Sequence, residues 1–287
     1  MTSIHRTLYA DTQALIYAFR NNDAAWRDFI ERHLDAGYRL VLTEEHLLEF
    51  SQWHSLDEAR SLIRALLALA PVWFRSFADI QADEVHAFVA FALHRQARPH
   101  LTVFRETYES ASRIGDRLDL NPEQVVTLFS SPVGRDALRK LRQQHADVLN
   151  ELKRATASQQ LTRPHLDVAY QNAVTARLAR GSDLFGALSG GALADAVQFC
   201  VKKRKQLMRE CMSFAAEDHL SNHRASNPRR IARLSDSVDL TASVAAFPYV
   251  DIFLTNDGFL HSGLQYVKTR MPSLATTLHR WPDDPEA

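Results

Sequence analysis

Glycine is scarce in this chain, 9 of 287 residues, and no Gly-x-x-x-x-Gly-Lys-Ser/Thr run occurs. That excludes a phosphate loop and removes the usual signal of a glycine-rich nucleotide turn. Cysteine is scarcer still. Cys200 and Cys211 stand too far apart for a Cys-x-x-Cys metal or redox pair, so both read as reduced, small apolar residues. The chain has 13 histidines but no His-Glu-x-x-His motif, and it has no Gly-x-Ser-x-Gly elbow. No apolar run is long enough for a signal peptide or a membrane span; the longest, Leu62 to Val72, contains Arg64 and Pro71. The expectation is a cytoplasmic protein with no membrane partner. Net charge is also lacking, since 34 acids balance 34 bases, so any nucleic-acid affinity must come from a local patch.

Hydrophobic residues make up 46% of the chain and charged residues 24%, an ordinary balance for a protein with a full core. Thr7 to Asp11 reads as a first strand ending in an acid, and Ala14 to Phe19 as the helix after it. Asp23 caps a second helix carrying Trp26, Phe29 and Ile30, which Gly37 stops. Arg39 to Thr43 is a second strand, followed by helices over Glu44–Trp53 and from Ser55 or Asp57 to Pro71. Val72 to Phe77 is a third strand and Asp83 to Leu93 the next helix. Strands alternating with helices predict a parallel sheet. From 95 to 233 strand signals fade and helical spacing takes over, as in Leu138, Leu141, His145, Leu149 and Leu152. The strand signal resumes at Ile252 to Leu254, after an Asp239-initiated helix, and a last strand is expected over Thr276 to Trp281. The fold class is therefore α/β over 1–94 and 234–287, interrupted by an all-helical insertion over 95–233.

Four acids fall at strand ends or helix starts: Asp11, Glu49, Asp239 and Asp257. Asp236, one helical turn before Asp239, competes with it as cap or outer partner. Asp251 precedes its strand, roughly 13 Å from the Thr255 end at ~3.3 Å per residue, and is left out. Three of the four have a plainer role available: a helix cap for Asp11, a solvated face shared with Glu44 and Glu45 for Glu49, a turn with Gly258 for Asp257. Phosphodiester hydrolysis by such a cluster needs hard cations, and Mg²⁺ or Mn²⁺ takes oxygen ligands while keeping several waters.

In order and spacing these motifs resemble the PIN-domain ribonucleases. Tyr9-Ala10-Asp11-Thr12 is similar to the family's opening strand and first acid. Leu40-Val41-Leu42-Thr43 followed by Glu49 is similar to its second strand and helix-borne acid. Asp239, an Ala-rich helix, and Leu254-Thr255-Asn256-Asp257 are similar to its third acid and Thr-x-Asp signature. The resemblance covers about 4–94 and 234–281. It implies a PIN-like Rossmannoid sheet and a Mg²⁺- or Mn²⁺-dependent nuclease acting on RNA. It also implies Asp11, Glu49, Asp239 and Asp257 as metal ligands or water-orienting groups, with Thr255 fixing the Asp257 loop. Since the family includes toxins held by antitoxins, a protein partner or inhibitor is a further expectation.

The insertion contributes the basic run Lys202-Lys203-Arg204-Lys205. Between 202 and 233 nine bases face three acids, an excess suited to a phosphate backbone or simply to a solvated face. Leu138-Arg139-Lys140-Leu141-Arg142 is a second basic candidate. Tyr170, Phe199 and Phe214 could stack on bases, but their helical spacing suits a core. A PIN-like binding scaffold without catalysis is the alternative function.

Overall fold

The computed structural model describes residues 6–21, 23–112, 118–157, 163–182, 184–225 and 246–280. In chain order its elements begin with β1 (Arg6–Ala10), α1 (Thr12–Leu15, continued by a π-helical turn Ile16–Arg20), α2 (Ala24–Asp35) and β2 (Tyr38–Leu42). Next come α3 (Glu44–Phe50), α4 (Leu56–Ala68), β3 (Val72–Phe74), α5 (Phe77–Ala92), β4 (Phe104–Arg105) and α6 (Tyr108–Ala111). Then follow α7 (Pro122–Ser130), α8 (Pro132–Ala157), α9 (Arg163–Leu178), α10 (Gly190–Lys202), α11 (Arg204–Glu210) and α12 (Met212–Ala225). The chain closes with β5 (Ile252–Thr255), α13 (Gly258–Arg270) and β6 (Thr277–Arg280). Among the described residues no helix is long and apolar enough to cross a membrane. Two compact units result: Met1–Ser76 with Phe104–Ala146 and Arg233–Ala287, and Phe77–Val103 with Asp147–Ala232.

The first unit is built on a six-stranded sheet of order β4-β3-β2-β1-β5-β6. Its central strands are short apolar runs, with Leu8, Tyr9, Ala10, Leu40, Val41, Phe253 and Leu254 all buried, as strands covered on both faces require. β1 pairs in parallel with β2 (Leu8 opposite Leu40) and with β5 (Leu8 opposite Ile252), while β3 and β6 add in parallel outside them. β4 departs from the expected all-parallel sheet: it pairs antiparallel with β3, Trp73 opposite Arg105. The sheet is therefore mixed, mostly parallel.

Local chemistry sets the helix ends. Asp23 accepts from the Ala25 and Trp26 amides to start α2, which buries Trp26, Phe29 and Ile30 and ends before Gly37, whose φ of +86° favours glycine. Ser55 accepts from the Glu58 amide to start α4. That helix buries Leu62, Ile63 and Leu66 in the core with Leu40, Leu42 and Trp73. Each such side chain stabilises by about 1.5–3 kcal/mol, and truncating Leu66 to Ala would cost about 2–5 kcal/mol. β1 ends at Ala10, one residue short of the expected end; Asp11 keeps one backbone bond to β5 while its side chain caps α1. β3 ends at Phe74, and α5 begins at Phe77, six residues before the expected start. β6 spans Thr277–Arg280, while Trp281 lies outside the described residues.

Asp251 sits at the amino end of β5. Its Oδ2 accepts from the Thr7 amide at 2.7 Å and the Thr7 hydroxyl at 3.0 Å, which ties β5 to β1 at the end remote from Asp11.

The second unit is helical. Its core joins Val85, Phe88 and Val89 of α5 with Tyr170, Val174, Leu178, Val197, Leu207 and Phe214. α5 also buries Asp79, Gln81, Asp83, Glu84 and His86, so its polar residues face inward.

This division differs from the expected insertion over 95–233. α5 belongs with the helical unit because its buried groups bond to α9 and α12, including Gln81 to Arg177 at 2.7 Å. Phe104–Ala146 belongs with the sheet because β4 pairs with β3, while α7 puts Val125 and Val126 into the sheet's core. With β4 inside it, the stretch 95–233 is not wholly helical.

Candidate active site

The strand order reverses between β1 and β5: running outward, one side reads β2, β3 and the other β6. In open α/β sheets ligands bind outside the carboxyl ends of the strands at such a switch point. Asp11 follows β1 and Asp257 follows β5, so both flank it.

Asp11 continues the ladder, its amide donating to the Leu254 carbonyl at 2.9 Å. Its Oδ1 accepts from the Ala14 amide at 2.8 Å, and its Oδ2 accepts from the Thr255 hydroxyl. The same hydroxyl oxygen accepts from the Asp257 amide at 3.0 Å. Thr255 therefore joins the two acids through one atom. Asp257 Oδ1 in turn caps α13, accepting from the Phe259 and Leu260 amides at 2.7 and 3.0 Å. Burial pushes the Asp11 carboxyl up to about 6, helped by the Asp257 charge and opposed by the bonds from Thr255, Ala14 and Asn256.

The third element is α3. His46 Nδ1 accepts from the Thr43 amide at 3.0 Å, so Nδ1 is the bare nitrogen. Nε2–H then donates to the Ala10 carbonyl at 3.1 Å. One neutral imidazole thus pins the start of α3 to the end of β1, and its burial holds the ring's pKa down to about 4. Sequence reasoning gave this histidine no role, because Ala10 and His46 meet only in the fold.

Glu49 lies on α3 one turn beyond Glu45, on the same face. Desolvation raises the pKa of both. The Thr12 hydroxyl and Arg142 oppose the rise at Glu49, and the charges of Asp11 and Glu45 add to it. Glu45, named from the sequence only as a neighbour on the solvated face that was the plainer role for Glu49, belongs to this acidic group; its i,i+4 spacing from Glu49 was the available signal. Glu44 points elsewhere and accepts from the Ser112 hydroxyl at 2.8 Å. Arg142, from the second basic candidate, brings its positive charge to Glu49, whereas Arg139 and Lys140 pair with Asp136 at 2.8 and 2.7 Å.

Asp239 and Asp236 lie outside the described residues. In the helical unit, Lys202, Lys203 and Lys205 are exposed at the α10–α11 junction, while Arg204 lies 4.3 Å over the Tyr170 ring. Tyr170 and Phe214 are buried core residues.

As ligands, Asp11, Glu49, Glu45 and Asp257 offer oxygen only, which suits a hard cation, and their mutual repulsion is what such a cation offsets. Among the described residues, no three His, Cys, Asp or Glu side chains lie close enough together to hold a metal ion. Comparison with protein-family models, with curated proteins and with solved structures gives no match.

Proposed function

We propose that this chain is a PIN-type, divalent-metal-dependent endonuclease that hydrolyses phosphodiester bonds, with RNA as substrate. The observation that carries the reading is the pair Asp11 and Asp257, joined through the Thr255 hydroxyl at the switch point of the sheet. The preference for RNA over DNA rests on the motif resemblance alone.

In this reading Asp11, Glu49 and Asp257, with Asp239, would hold Mg²⁺ or Mn²⁺. When bound, such an ion supplies charge neutralisation at the phosphate oxygens. Thr255 and His46 keep the acids in place before substrate arrives, which is how preorganised sites lower a barrier. Glu49, one turn beyond Glu45 on α3, would serve as one of the oxygen ligands. Lys202, Lys203, Arg204 and Lys205 would add backbone affinity, and a protein inhibitor remains part of the proposal.

The test is cleavage of labelled single-stranded RNA and DNA in Mn²⁺, Mg²⁺ or EDTA, comparing wild type with Asp11→Asn. Metal-dependent cutting, reduced about 10²–10³-fold in the variant, is expected. Failure of the wild type both to cut and to bind Mn²⁺ would overturn the reading in favour of a non-catalytic PIN-like scaffold.

A further inference from the structure

Directly after Glu49 the chain reads Phe50-Ser51-Gln52-Trp53-His54-Ser55, the link from α3 to α4. Its first part extends the helical turn, since the Gln52 amide donates to the Glu49 carbonyl at 3.0 Å and the Trp53 amide to Phe50 at 3.2 Å. Trp53 therefore stands four residues beyond Glu49, in the turn that follows α3. A half-buried indole in a surface link is unusual enough to ask what holds it. The Ser51 carbonyl accepts from the Ser130 hydroxyl at 3.0 Å, and the Trp53 carbonyl accepts from Arg135 Nη2 at 2.5 Å. Phe50 packs edge-on against the ring at 5.4 Å. The platform is fixed in place by the chain around it.

Arg20 lies above that platform. Its guanidinium carbon is 4.7 Å from the Trp53 ring centre, and Glu58 holds its Nη2 at 2.5 Å. Arg20 is delivered by the π-helical turn Ile16–Arg20, which closes with the Asn21 amide on the Ile16 carbonyl at 3.0 Å. π turns cost hydrogen-bond geometry and recur where a site needs a side chain re-aimed. Arg20, Gln52, Trp53, His54, Ser55 and Glu58 together line an open cavity of about 330 Å³, in the size range of small-ligand pockets.

We propose that this cavity binds one unpaired base of a single-stranded nucleic acid. A base has two flat faces and a polar edge. Stacking on aromatic rings and guanidinium groups satisfies the faces. The Gln52 amide, the His54 ring and the Glu58 carboxylate supply donors and acceptors for the edge. The base extends the Trp53–Arg20 stack from the open side of the cavity. This inference rests on the nucleic-acid reading of the protein, but not on catalysis.

The experiment measures anisotropy of a fluorescein-labelled ten-nucleotide single-stranded RNA with the full chain in EDTA, so that cleavage plays no part. Wild type is compared on the intact oligonucleotide and on versions carrying one abasic position. The expected result is about tenfold weaker binding when the abasic position meets the cavity, and a similar loss in Trp53→Ala with the intact strand. Arg20→Lys keeps the charge and loses the flat group, so it should weaken binding nearly as much as Arg20→Ala. His54→Ala, at an exposed position, checks the edge contacts without risk to the core. Wild-type affinity indifferent to abasic positions, or Arg20→Lys binding like wild type, would overturn the proposal while leaving a nuclease possible. Base-dependent binding without any metal-dependent cleavage would keep the pocket and sink the nuclease.

Discussion

In the helical unit, Glu84 gives its two carboxylate oxygens to the Ser213 and Phe214 amides at the start of α12, at 2.9 and 3.0 Å. Asp79 of the same unit meets the Arg180 guanidinium at 2.9 Å, and Asp83 accepts from the Ser182 hydroxyl. In the sheet unit, buried Asp11 has neutral donors such as Thr255 and Ala14, the charge of Asp257 bears on it, and its own charge bears on Glu49. Glu84 and Asp79 are thus answered by the positive end of a helix and by a cation, whereas Asp11, besides capping α1, meets the charge of Asp257. Like charges set near one another raise each other's pKa and disfavour the charged forms.

The contrast sharpens most at Glu84. Glu84→Ala strands two buried amides and should cost about 3–5 kcal/mol in urea denaturation. A cost near zero would remove the distinction between the two units. Asp11→Asn should have the opposite sign. The folded pKa of Asp11, about 6, lies above its ordinary value of 3.8, so the folded state holds that proton more tightly than the unfolded chain. Its contribution is full below about pH 4 and is lost as pH rises through 6. Glu45 and Glu49, also raised, act in the same direction. His46, held low, acts oppositely, losing stability as pH falls from 6.5 toward 4. Comparing Asp11→Asn with wild type isolates the first effect. In EDTA the variant should be more stable by on the order of 1–3 kcal/mol at pH 7.5, with the difference vanishing near pH 4. A difference independent of pH would make Asp11 a plain helix cap.

Thr255→Val removes the hydroxyl shared by the two acids. A loss of about 1–2 kcal/mol is expected, with cleavage about tenfold slower at saturating metal. Unchanged cleavage would show that the acids need no such link. The smallest effect belongs to Asp251→Asn at the other end of the same strands. It should cost about 0.5–1 kcal/mol and leave cleavage untouched, as measured by melting and the same assay.

The order of strands and helices up to Ala92 was legible because its signals are local: Asp23 and Ser55 caps, the Gly37 stop, and apolar runs such as Leu40 to Leu42. β4 was not, since two residues, Phe104 and Arg105, carry no period. The unit boundary was hidden for a different reason. α5 looks solvated by its Asp, Gln, Glu and His residues, yet their partners Arg177, Arg180 and Ser213 stand roughly a hundred residues away in sequence. Asp11, Glu49, Thr255 and Asp257 could be picked out from spacing, whereas Glu45 and His46 needed the fold to bring β1 beside α3.

The bond from Thr255 to Asp11 spans 244 positions of chain. During synthesis at about 5–20 residues per second, Asp11 therefore leaves the ribosome roughly 12–50 seconds before its partner exists. Through that interval β1 has an unfilled edge where β5 will pair, and Asp11 has no hydroxyl to restrain it. The two halves of the acidic pair are kept apart by translation itself, so whatever the pair does begins only after β5 has been made.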